Sequence, residues 1–322
     1  MEDIRRGIGL TRRAADNRRF ALKLALLTAL TVVGIGLVLT YSPWCMVAGV
    51  MLCGLMYAHA LELQHEALHG IGFRSMRANT VAGILLGLPM LTSFAAYQAS
   101  HMRHHRRLGT PDNKEFFDYG DQYGTGSGGG VRRVLSWMYR FSMIAHYLGF
   151  FSTAGKLAAG RALPEEKPAA MRGIRRDYAV ISGTLIVAVA ASVATGSTLM
   201  LWIWLAPLVV ASPVHALIEL PEHYRCETLT VDVFRNTRTI RSNRLAAWFT
   251  NGNNFHVEHH LMPSLPIHQL SELHEALDGR HRYHHRTYLG FFRSLRHPRE
   301  QVPDTATELV AAASLSVPTR SR

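Results

Sequence analysis

The chain has 322 residues, 48% of them hydrophobic, a formal net charge of +12 and only three cysteines. Cys45, Cys53 and Cys226 form no CxxC pair and no disulfide framework, which excludes an iron–sulfur cluster and a fold stapled by disulfides. The positive charge does not point to nucleic acid, because the basic residues flank apolar runs instead of interleaving with aromatic residues on one surface.

Residues 1–19 are basic, and too long and too charged for a secretory n-region, so they read as a cytoplasmic tail. Residues 20–41 then run apolar with Lys23 as their only charge, the length needed to cross a bilayer core of about 30 Å. Pro43 breaks the helix, and residues 44–63 form a second apolar run. The N-terminal arginine pairs place the start in the cytoplasm, so the second run returns there. It delivers His65 and His69 of HEALHG beside Arg74 and Arg77.

Residues 78–98 are apolar enough to resemble a further span. If they crossed, HMRHHRR would emerge on the opposite side from HEALHG, so the expectation is an interfacial or re-entrant helical segment broken at Gly87 and Pro89. Residues 99–177 are expected to be cytoplasmic. They hold GTGSGGG at 124–130, read as a linker because no GK[ST] follows it, and an amphipathic stretch at 131–151. There Arg132, Arg133 and Arg140 stand among Trp137, Tyr139, Phe141 and Tyr147.

Residues 178–196 and 199–217 complete the spans, joined by a tight outer turn at 195–197, with Trp202 and Trp204 read as interface anchors. Residues 218–302 return to the cytoplasm, and residues 303–322 are polar and expected to be disordered. The expected fold is an all-α membrane protein: four transmembrane helices in two hairpins, one unit over residues 20–302, with a cytoplasmic histidine-rich cap for two metals.

That cap carries three clusters. His65 and His69 come from HEALH, His101, His104 and His105 from HMRHH, and His256, His259 and His260 from NNFHVEHHLMPSLP. Spacings of three and four residues share one helix face, and eight imidazoles exceed what one tetrahedral metal can use. Two metals held by nitrogen follow, with Glu66 and Glu258 able to orient the imidazoles by accepting their outer N–H. The bland reading makes these histidines ordinary polar residues at helix ends. A rival reading takes HEALH as the HExxH of a zinc protease with Glu66 as general base, leaving the other two clusters without a role. His281, His284 and His285 in HRYHHR repeat the same spacing, so spacing alone does not choose between them and HVEHH.

As a set, HEALH, HMRHH and HVEHH in this order, with NNF before the third box, LMPSLP behind it and a four-span hairpin pattern, resemble the membrane fatty acid desaturase and hydroxylase superfamily, in its bacterial branch. The resemblance covers residues 20–277. It favours His256, His259 and His260 as the third box and makes the 281–285 cluster a solvated surface. It also implies two non-haem irons and a ninth histidine after the last span, for which His223 in ELPEHYRCE is matched and His215 competes. By analogy Asn254 would hold a water on one iron. His59 is expected to be packed or hydrogen-bonded, and His146, His268, His274 and His297 stay unassigned. The stretch 232–243 is similar to one in bacterial members, some of which act on smaller amino-acid-derived metabolites; Arg238 and Asn243 there would support the centre or serve as surface contacts.

An unactivated alkyl C–H bond resists acid, base and nucleophile, so the chemistry needs dioxygen activated by metal. Removal of two hydrogens gives a double bond and insertion of oxygen an alcohol; the resemblance favours desaturation. With no flavin, haem or cluster motif in the sequence, electrons are expected from an external ferredoxin- or cytochrome-like carrier docking on a basic face. The expected substrate is a lipid or acyl chain, and the expected location a bacterial plasma membrane with both termini and the boxes cytoplasmic. A metal-binding membrane protein without catalysis is the remaining alternative.

Overall fold

The computed structural model describes residues 13–110, 112–113, 130–227, 229–277 and 279–296. The arginine pair at 5–6, residues 124–129 of the glycine stretch, His297 and the 303–322 tail lie outside the described residues.

Four helices are long and apolar enough to cross a membrane: α1 (Asn17–Val38), α2 (Pro43–Leu68), α7 (Pro168–Thr195) and Leu201–His223, whose regular part is α8 (Ala206–His223). Between them lie α3 (Met76–Gly87), α4 (Phe94–Arg107), α5 (Gly130–Phe141) and α6 (Ile144–Ala158). After the last span come α9 (Val233–Asn236), β1 (Arg238–Ile240), α10 (Arg244–Phe249), α11 (His256–Leu261), α12 (Leu270–Ala276), β2 (Tyr283–His285) and α13 (Tyr288–Ser294). The all-α membrane fold expected from the sequence is what the chain adopts.

The spans are longer than their apolar runs. At 1.5 Å per residue the 26 residues of α2 reach about 39 Å, more than a bilayer core of about 30 Å, so its last turns project beyond the membrane and carry His65 out with them. The last helix likewise runs past residue 217 to His223, so that histidine closes the span instead of following it. Pro43 starts α2 at a position whose N–H would lack a helical partner anyway. A π-helical turn, Leu201–Leu205, opens the fourth span. Outward-facing Leu22, Val33, Val47, Val187 and Val209 are exposed, the composition of a lipid-facing surface.

Small residues set the helix spacing. A Cβ at Gly49 would stand 2.5 Å from the Gly34 carbonyl across the α1–α2 seam, and one at Gly54 would stand 2.5 Å from Val210 Cβ across the α2–α8 seam. These close seams bring the ends of α2 and α8, with their histidines, together.

Residues 78–98 do not form one continuous helix and are not among the four helices long and apolar enough to cross. They divide into most of α3 and the start of α4, interrupted over 88–93 around Pro89, the helix break expected from the sequence. The start of α4 is fixed from the third span: the buried Asp177 accepts from Ala95 N at 2.7 Å and from Ser93 Oγ at 3.2 Å, while Ser93 Oγ accepts from Ala96 N at 3.1 Å. The stretch 131–151 is two helices instead of one, parted at Met143, which sits in the left-handed region at φ 52°. Trp202 faces outward, but Trp204 turns inward and donates to the Pro89 carbonyl at 2.8 Å, so it braces the helix break.

Candidate metal centre

Nine histidines converge at one end of the bundle in two adjoining groups. His65, His69, His101, His105 and His259 form the first, and His104, His223, His256 and His260 the second. In each, one nitrogen per ring lies within 4.8 Å of the others. The groups abut, with the His105 and His260 rings 4.2 Å apart. All eight box histidines therefore meet on one side, and His223 joins them.

The tautomers of three rings follow from their outer partners. His65 Nδ1 donates to Asn253 Oδ1 at 3.0 Å, His104 Nδ1 to Asn113 Oδ1 at 3.0 Å, and His223 Nδ1 to the Asn236 carbonyl at 2.9 Å. With the proton on Nδ1, each of these rings turns an Nε2 lone pair inward. Those lone pairs meet other imidazole nitrogens: His65 Nε2 is 2.8 Å from His101 Nε2, His104 Nε2 is 3.3 Å from His260 Nε2, and His223 Nε2 is 3.2 Å from His256 Nε2. His69 Nε2 is buried with no hydrogen-bond partner among the described residues. Inward lone pairs and an orphaned nitrogen are the arrangement that cations at the two foci would complete, so the donor set fits metal.

Burial, reinforced by neighbouring imidazoles, holds His69, His101, His105, His256, His259 and His260 well below the ordinary imidazole pKa. For His104 the same burial dominates, with Asn113 opposing it. These rings are neutral near pH 7, the form that ligates.

The outer carboxylates are not where the sequence suggested. Glu66 Oε2 pairs with Lys23 Nζ at 2.7 Å and accepts from Asn251 Nδ2 at 2.9 Å. It orients no imidazole of the boxes, and the pairing leaves it unsuited to the general-base role of an HExxH protease. Glu258 also turns away from the nine: it accepts from Thr239 Oγ1 at 2.6 Å, and its other oxygen lies 2.5 Å from His274 Nδ1 and 2.7 Å from His281 Nε2. Although burial alone would raise its pKa, those hydrogen bonds hold it down at about 2. The reason is helical: a residue next to a ligand in sequence is rotated by about 100° from it and faces elsewhere.

Asn254 spends its amide on the Ile240 and Arg241 carbonyls, at 2.8 and 3.3 Å, pinning β1 instead of facing the centre. The orienting asparagine is its neighbour Asn253, which the sequence reading missed. It also donates to Glu62 Oε2 at 2.7 Å. Glu222 was missed as well; its Oε2 lies 3.3 Å from His256 Nε2, a carboxylate at the edge of the second group. The adjacency of Glu222 to His223 in PEH was the available signal.

His215 lies outside both groups, held between Glu62 Oε1 at 3.3 Å and Glu219 Oε1 at 3.1 Å. Arg238 is buried, donates to the Pro221 carbonyl and lies over the Tyr283 and Phe291 rings, so it braces the helix end that bears His223. Asn243 only caps α10, accepting from Ala246 N at 2.8 Å. His59 Nδ1 donates to the Phe249 carbonyl at 2.7 Å, a packed histidine as expected. The 281–285 cluster is not a helical box: His284 and His285 sit on β2, paired in parallel with β1, and the His281 side chain is 5% exposed against Glu258 instead of solvated.

A cavity of about 690 Å³ opens beside the first group, reaching Tyr97, whose ring is 5.6 Å from that of His101. Its walls mix Leu61, Phe150 and Ile174 with Arg140, His215 and Glu219.

No curated protein matches the chain. The family model described as fatty acid desaturase matches residues 41–292, well over half of its length. That match spans all three histidine boxes and His223, and the chain belongs to the fatty acid desaturase family.

Proposed function

We propose that this membrane oxidoreductase is a di-iron desaturase that introduces a double bond into a fatty acyl chain, using dioxygen and electrons from an external carrier. The observation that carries the reading is the pair of imidazole groups with lone pairs turned inward. His65, His69, His101, His105 and His259 would hold one iron, and His104, His223, His256 and His260 the other. Two irons, when bound, supply the electrons that cleave dioxygen and the oxidising power to take hydrogen from an unactivated carbon.

The chain's own residues set the stage for this. Asn253, Asn113 and the Asn236 carbonyl keep three imidazoles in the ligating tautomer. The apolar wall of Leu61, Phe150 and Ile174 excludes water from a bound alkyl segment. Exposed Arg106, Arg107, Arg241, Arg244, Arg280 and Arg286 make the cap basic, suited to an acidic ferredoxin- or cytochrome-like donor. Arg74, Arg172 and Arg175 at the box end support placing the cap on the cytoplasmic side.

A second reading, desaturation of a smaller amino-acid-derived metabolite, is favoured by Arg140, His215 and Glu219 in the cavity wall. Hydroxylation by the same centre is told apart by product. The test is turnover of purified, iron-loaded protein with a reduced carrier, dioxygen and panels of acyl and amino-acid-derived substrates. Two irons per chain and a product short of two hydrogens are expected; a product gaining oxygen means hydroxylation, and turnover without any carrier would contradict the electron route.

A further inference from the structure

A separate donor cluster lies behind the third box. Glu258, His274 and His281 each offer one ligand atom, all within 4.8 Å of one another, and none of the three belongs to the two larger groups. Glu258 is fully buried, and the His281 side chain is 5% and that of His274 17% exposed. A third imidazole stands beside them: the His284 ring is stacked 5.5 Å from that of His274 and lies 5.9 Å from that of His281.

We propose that Glu258, His274 and His281, with His284 as fourth donor, form a site for one structural zinc ion. Two or three imidazoles and a carboxylate are a donor set that zinc takes in tetrahedral geometry, with nitrogen and oxygen at about 2.0–2.2 Å. Donors of such an ion stand about 3.3 Å apart. The present separations from Glu258 Oε1, 2.5 Å to His274 Nδ1 and 2.7 Å to His281 Nε2, need to open by less than about 1 Å. His274 is only partly enclosed, and the exposed His284, its ring stacked on that of His274, would have to turn its imidazole towards the ion to complete the set.

The site has a job. Helix α11 is only six residues long, has no side-chain N-cap and bears His256, His259 and His260. A helix that short does not hold itself. Glu258 projects from it on the side away from the larger groups, and an ion joining Glu258 to α12 and to the segment leading into β2 clamps α11 from behind. Thr239 of β1 grips the same helix by accepting from Val257 N at 3.2 Å and donating to Glu258 Oε2, so α11 retains a second anchor when the ion is absent. The proposal does not depend on the chemistry assigned to the nine histidines.

The test is elemental analysis of the full chain, purified in detergent, iron-loaded and equilibrated with zinc, beside the His281→Ala and His284→Ala variants. We expect one zinc per chain in addition to iron. Zinc should fall at least tenfold in His281→Ala and measurably in His284→Ala, with the iron content unchanged in both. Cobalt(II) titrated into the iron-loaded wild type, a measurement that survives if His281→Ala fails to fold, should bind to one equivalent with the visible bands of a tetrahedral site. Wild-type protein that takes up neither zinc nor cobalt beyond its iron, or zinc that persists at full occupancy in both variants, overturns the proposal and leaves the cluster as a hydrogen-bonded network only.

Discussion

Asn253 ties together two things that sequence spacing leaves apart: its Oδ1 accepts a hydrogen bond from His65 Nδ1–H and its Nδ2 donates to Glu62. Its replacement by alanine removes the tautomer lock on one imidazole and strips a buried carboxylate oxygen of its donor. Losses of such outer partners reduce metal affinity or activity by about 10–100-fold. Asn253→Ala should therefore show that loss in bound iron and in turnover, read by metal analysis and product formation, whereas Asn254→Ala should lower thermal stability and leave the iron content near that of the wild type. At this scale the eight box histidines were legible because helical periodicity is local. Their supporting groups were not. Asn253, Asn113 and Asn236 meet the rings by folding, and the choice of Glu66 and Glu258 confused nearness in sequence with nearness in direction.

Helix α4 carries three of the nine imidazoles and is aimed by a residue on another element. Asp177 of α7 satisfies the Ala95 N–H at the first turn of α4 and holds Ser93, while its other oxygen pairs with Arg176 at 2.7 Å. Asp177→Ala leaves a partly buried N–H and the buried Ser93 hydroxyl without their acceptor, a loss of about 1 kcal/mol or more. It should lower the unfolding temperature in detergent by several degrees and reduce iron content with it; an unchanged unfolding temperature would count against this account of how α4 is positioned. The elements themselves were largely readable from hydropathy, including the break near Pro89, because a span announces itself by length and lack of charge. Their ends were less so. Hydropathy stops where residues turn polar, while α2 and α8 continue as helices to present His65 and His223; the HEALH spacing signals the first continuation, and no comparable periodicity signals the second.

Taken as a whole, the molecule has a lipid-facing barrel of spans and a polar cap at one end, and its sidedness can be read with its own cysteines. Cys45 sits half-buried at the start of α2, away from the cap, whereas Cys53 and Cys226 are buried. A membrane-impermeant thiol reagent applied to intact cells should modify Cys45. It should reach an Arg77→Cys variant, on the cap side, only after the cells are opened; labelling of that position from outside would reverse the proposed orientation. The pairing of Lys23 with Glu66 also fastens distant parts of the chain to one another. It joins the cap end of α1 to that of α2, and Asn251, more than 180 residues further on, contacts both members, Lys23 at 2.7 Å and Glu66 at 2.9 Å. The segment that leads into the third histidine box is thereby tied to the first hairpin through two side chains, so a change at Lys23 is felt at the opposite end of the sequence.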